Sequence, residues 1–145
     1  LLEQDQGSVL LTVLCCIKAA QKPQLLGEAF AAIKDDGSVV SWGKADRGGD
    51  SASVADQLQE GVLQVVGNSS AFAAIKVDGS VISWGKADLG GDSSSVADKL
   101  QEGVREVVGN PYAFAAIRDD GSVVSWGAVD RGGDSSEVAD KLQEG

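Results

Sequence analysis

A fifteen-residue phrase, AFAAIKDDGSVVSWG, begins at Ala29 and returns almost unchanged at Ala71 and Ala113, 42 residues apart each time. Self-similarity at such a period marks a supersecondary unit that cannot bury its own faces and is stacked on copies of itself. The units run over residues 29–70, 71–112 and 113–145, the last one cut short, with residues 1–28 as a degenerate or shortened unit. Over the 33 positions that all three share, 24 are identical. Near-identity of this kind fits recent duplication, so an acidic residue that recurs three times is weak evidence of a role.

Each unit parses alike. AFAAIK reads as a short apolar strand, and Asp36-Gly37, Asp78-Gly79 and Asp120-Gly121 read as tight hairpin turns of type I′, where both central residues need positive φ. SVVSW is then the returning strand, ending in Trp42, Trp84 or Trp126, each a large packing residue whose indole N–H needs a partner. Apolar side chains occupy both faces of these strands, the pattern of strands covered on two sides. A polar, glycine-rich connector follows, in which Ser53 to Asp56 has the character of a capping box and predicts one or two helical turns through Leu58. Gly61 then releases the chain into VLQVVGN, a third strand. In residues 1–28, Gly7 aligns with Gly37, and KPQLLGEAF from Lys22 resembles the third strand running into the next unit.

Composition narrows the functions open to such a chain. The net charge is −10, from 22 acidic against 12 basic residues, which repels nucleic acid and anionic membrane surfaces and suits a basic protein face. There is no histidine, so the commonest general base and metal ligand are missing. There is no methionine either, and the chain starts at Leu1, as expected of a processed chain or part of a longer one. Val9–Ile17 is too short to span a bilayer and follows an acidic segment, so no targeting signal or transmembrane helix is visible, and chloroplast and cytoplasm both stay open. Cys15 and Cys16 are adjacent, which disfavours a disulfide and predicts two free thiols that pack as small hydrophobes.

The best site candidate is the acidic connector. Asp46, Asp50 and Asp56 recur as Asp88, Asp92, Asp98 and as Asp130, Asp134, Asp140, and carboxylates interleaved with glycine offer hard oxygen ligands to Ca²⁺. The spacing is that of neither an EF-hand nor a calcium-binding β-roll, and Asp also closes turns by accepting backbone N–H groups, which is the weightier reading. No cofactor is indicated. Serine has no histidine to activate it, Lys44 and Lys86 give way to Ala128, and no GK[ST] follows the glycines, so an enzyme is not expected.

The order strand, DG turn, strand ending in Trp-Gly, glycine-rich loop, then VVxVVGN leading to an aromatic-Ala strand resembles the RCC1-like repeat over about 80% of the chain. DGSVVSWG is the specific part, and RGGDS or LGGDS departs from the Gly-Gln-Leu-Gly type of loop. The resemblance implies an all-β fold of propeller blades, usually about seven of about four strands each. About three units form a partial, open arc, to be completed by missing sequence, a second copy or another protein. A β-trefoil of three 42-residue repeats is the alternative. The family further implies a non-catalytic interaction or scaffold module whose partners are other protein subunits. Repeats of this subtype look like those of unicellular algae and some bacteria, which implies an accessory subunit docked on a larger assembly such as a photosynthetic membrane complex. A lectin-like domain binding Ca²⁺ or a small ligand is the reading from a different class.

Overall fold

A computed structural model describes the backbone of Val13–Cys15 and residues 27–143. Among these residues nine strands form three separate three-stranded antiparallel sheets: β1 (Val13–Cys15), β2 (Ala29–Ile33) and β3 (Val39–Gly43); β4 (Val62–Gly67), β5 (Ala71–Lys76) and β6 (Val81–Gly85); β7 (Val104–Asn110), β8 (Ala113–Arg118) and β9 (Val123–Gly127). Each sheet takes its first strand from the sequence before its AFAAI phrase and pairs it with the hairpin that follows. The chain is an all-β, partial, open propeller arc. The described residues do not form a trefoil, whose units would share one closed barrel with strands paired between them, because among these residues no strand of one sheet pairs with another sheet.

The register explains how the sheets stack. Phe30 lies opposite Trp42 and Ala32 opposite Val40, which puts them on one face; Ala29, Ala31, Ile33 and Val39 lie on the other. The small-residue face of one sheet packs on the aromatic face of the next. Between the first two sheets, Ala29, Ala31 and Leu58 meet Phe72, Ala74 and Trp84. Between the second and third, the same positions 42 residues on do the same work: Ala71, Ala73 and Leu100 meet Phe114, Ala116 and Trp126. Alanine on one side lets the backbones approach and leaves room for the rings on the other.

The hairpins are made differently from the sequence expectation. Only glycines have positive φ among the described residues, so Asp36 cannot occupy the first centre of a type I′ turn. The loop is instead three residues long. Gly37 N–H donates to the Lys34 carbonyl at 2.9 Å and Lys34 N–H to the Ser38 carbonyl at 2.8 Å, with Gly37 at φ +78. This is a type I turn closed by a left-handed glycine, and it recurs at Gly79 and Gly121. A Cβ on Gly37 would lie 2.9 Å from the Gly61 nitrogen, so the position requires glycine twice over.

The connectors hold short 3₁₀ turns, Ala45–Arg47 and Ala52–Leu58 in the first unit, with counterparts in the other two. Ser51 is the residue before the longer turn and makes no side-chain cap. The cap belongs to Asp50, whose carboxylate accepts the Ala52 N–H at 2.9 Å, so the capping box at Ser53 and Asp56 does not form. In the first sheet the edge beside β2 is taken by Val13–Cys15, and residues 22–26, which resemble the start of the third strand in sequence, lie outside the described residues. Val13–Cys15 is apolar and free of proline, which suits it to a sheet edge. Cys16 and residues 17–26 lie outside the described residues, as does the side chain of Cys15.

Candidate functional site

Three features could carry function: the acidic connectors, the rim where the turns meet, and the two terminal faces of the stack. The structure assigns the connector carboxylates mostly to local bonds. Asp50, Asp92 and Asp134 each accept the backbone N–H two residues on, at 2.9 Å. Asp92 is held below the usual carboxylate range by the Ser94 hydroxyl first and the Ser94 N–H second; for Asp134 the Ser136 N–H comes first. Asp88 and Asp130 face cations on their own loops, Lys86 at 4.0 Å and Arg131 at 3.7 Å. Asp46, Asp56, Asp98 and Asp140 are exposed. Among the described residues no group of three or more His, Cys, Asp or Glu side chains is placed to hold a metal. The hydroxyls of Ser38, Ser80 and Ser122 donate to Asp36, Asp78 and Asp120 two residues earlier, closing exposed turns.

The joints between units carry the buried polar contacts. The indole N–H of Trp84 donates to the Gly48 carbonyl of the preceding connector at 3.1 Å, and that of Trp126 to Gly90 at 3.0 Å. Gly48 and Gly90 lie flat on the next unit's phenylalanine, so that a Cβ would approach Phe72 to 2.6 Å or Phe114 to 2.5 Å. Asn68, which the sequence reading did not single out, is 2% exposed. Its side-chain oxygen accepts the N–H groups of Ser70 and Ala71 at 2.8 Å, and its amide donates to the Leu89 carbonyl at 2.6 Å. Asn110 repeats this with Tyr112, Ala113 and Arg131. The recurring VVGN was the available signal, since an Asn after a strand serves both as turn acceptor and as donor.

At the rim, Val62 N–H donates to Gly37 and Val77 N–H to Gly61, then Val104 to Gly79 and Asp119 to Gly103. These bonds, 2.8 to 3.0 Å long, run turn to turn along the arc and fix each unit against the next.

The terminal faces break the pattern. Trp84 and Trp126 are 2% and 1% exposed, whereas Trp42 is 44% exposed. It stacks on Phe30 with centroids 5.4 Å apart and planes 9° from parallel. Val40 is 48% exposed, where its equivalents Ile82 and Val124 are both buried. At the other end Gly132 is exposed where Gly48 and Gly90 are buried, and a Cβ there would meet nothing nearer than the Asn110 side-chain nitrogen at 3.4 Å. Val138, the counterpart of Val54 and Val96, is 43% exposed. No helix among the described residues is long and apolar enough to cross a membrane.

No protein-family model matches the chain, and no curated protein matches it. Solved structures similar to it include human WBSCR16, 25% identical with a TM-score of 0.45, covering 70% of this chain and 31% of that one. Prp20p of Saccharomyces cerevisiae, described with its binding to Gsp1p and histones, is 17% identical with a TM-score of 0.48, over 69% of this chain and 28% of that one. The CRINKLY ectodomain of the Arabidopsis thaliana receptor kinase ACR4 is 21% identical with a TM-score of 0.42, over 70% and 34%. The chain thus spans about a third of the length of these structures. At such scores the likenesses carry no weight beyond the sheets themselves.

Proposed function

We propose that this chain is a non-catalytic protein–protein interaction or scaffold module of RCC1-like repeats, acting as an accessory subunit of a larger assembly. The observation that carries this reading is the pair of terminal faces that, among the described residues, no further unit covers. A stacked array buries its aromatic face at every internal joint, and here the same face stands 44% exposed at Trp42. The loops support a surface role rather than a chemical one, since their carboxylates cap turns and their serines close them. A net charge of −10 favours a basic protein partner over nucleic acid. The more specific version, in which the assembly is a photosynthetic membrane complex approached from its periphery, rests on the resemblance of the repeat subtype alone.

The test is the mass of the particle that holds the chain when it is recovered from its source at native abundance. The reading expects a particle several times the monomer mass containing other subunits, and no change in melting temperature with Ca²⁺. A free monomer that melts cooperatively and is stabilised by Ca²⁺ would overturn it in favour of a ligand-binding domain.

A further inference from the structure

The two ends of the arc are the two halves of an interface that the molecule already builds twice. The terminal aromatic face carries Phe30, Ala32, Val40 and Trp42, of which Val40 and Trp42 are exposed; the buried ones carry Phe72, Ala74, Ile82, Trp84 and Phe114, Ala116, Val124, Trp126. The opposite end offers Ala113, Ala115, Ile117, Val123, Val138 and Leu142, identical at each position to the residues that receive Trp84 and Trp126 at the internal joints. The hydrogen-bonding halves are divided in the same way. Among the described residues no carbonyl takes the Trp42 indole N–H, and no indole reaches Gly132, whose φ of +98 matches +97 at Gly48 and +105 at Gly90.

We infer that this chain docks head to tail on a second copy of itself, the Phe30–Trp42 face of one copy entering the Gly132 end of the other. The contact deepens the scaffold reading and rests on it: the partner for these two faces is the chain's own repeat. In the docked state Trp42 donates to the Gly132 carbonyl, as Trp84 does to Gly48, and Val138 and Leu142 close over Val40 as Val54 and Leu58 close over Ile82. Two copies of the described residues stack six sheets in one continuous array. Heterologous contacts of this kind join unlike patches, so each copy both gives and receives. Each copy carries a charge of −10 while the meeting faces are apolar, so screening by salt strengthens the association.

The experiment is sedimentation of the full 145-residue chain over the micromolar range at low and high salt, with two variants. Trp42→Lys and Val138→Lys alter side chains 44% and 43% exposed in the single chain, so each retains its cooperative melt. The parent is expected at twice the monomer mass or a higher multiple, more tightly associated at high salt. Each variant alone is expected to lose about tenfold or more in affinity, as for a central aromatic anchor. Mixing the two restores association, because the mixture holds one intact face of each kind.

A parent that stays monomeric throughout overturns the inference. So does a dimer that survives Trp42→Lys, or one that survives Val138→Lys, since like-to-like pairing of one face spares the variant at the other. A chain that is monomeric alone yet found in a large particle at its source sinks this inference and leaves the scaffold reading standing. Self-association with no other subunit at the source does the reverse.

Discussion

At Gly90 and Gly132 the backbone is the same and the surroundings are not. Both sit in the left-handed region, at φ +105 and +98, but in the single chain a Cβ would strike the Phe114 ring at 2.5 Å in the first case and meet only the Asn110 side-chain nitrogen, at 3.4 Å, in the second. Gly132→Ala therefore carries only the conformational cost, about 1–2 kcal/mol. Gly90→Ala adds steric overlap inside a packed joint and is expected to cost about 3 kcal/mol or more. Urea unfolding of the two variants checks this, and equal losses would show that packing against phenylalanine is not what the glycine serves. Asn68 and Asn110 form a second matched pair. Asn68→Ala leaves the N–H groups of Ser70 and Ala71 buried without an acceptor, and a loss of about 2–3 kcal/mol is expected. Asn110 is exposed in the single chain and water can take over its bonds to Tyr112 and Arg131, so Asn110→Ala should cost less than Asn68→Ala, about 1 kcal/mol.

At the scale of the element, the hairpin turn links sequence to pH. Asp36, Asp78 and Asp120 are held below the ordinary carboxylate range, first by the hydroxyl and then by the N–H of the serine two residues on. A depressed folded pKa gives stability that is present above the unfolded value, about 3.9, and lost as pH falls through the folded one. A variant with Ser38, Ser80 and Ser122 all changed to Ala should be less stable than the parent at pH near 6, with the gap closing in strong acid. Chemical unfolding of both proteins against pH tests this; a gap that stays constant would assign it to something other than these carboxylates.

The hairpin also shows what was legible in the sequence. Strand, DG, strand was readable because glycine and the flanking apolar residues act locally. The turn type was not readable, because a DG pair serves both a two-residue type I′ turn and a three-residue loop closed by a left-handed glycine, and only the Lys34–Ser38 pairing tells them apart. The connector followed the same division. A short helical turn ending at Leu58 is legible in the sequence, but its cap is Asp50 and not Ser53. Ser, Thr and Asp compete for that role within a few residues, and only the path of the chain chooses among them. Asn68 was missed because its worth lies in reaching Leu89, 21 residues on.

At the scale of the whole molecule, the joints are interchangeable. Joining Ser70 directly to Ala113 would remove one unit and place Phe114, Ala116 and Trp126 against Ala29, Ala31 and Leu58, with the Trp126 indole N–H meeting the Gly48 carbonyl. Every one of those pairings already exists in the molecule with its numbering shifted by one unit. The shortened chain is expected to fold with Trp126 still shielded from solvent, and with a urea m value lower by about a third, in proportion to the surface it buries. Its fluorescence and unfolding curve check this; an aggregated or unfolded product would mean that the small differences among units fix their order. Interchangeable joints also have a hereditary consequence. A gene coding for such units can gain or lose one by misaligned recombination and still encode a chain whose surviving joints are all familiar, so the length of the arc can drift in a lineage faster than the residues that build it.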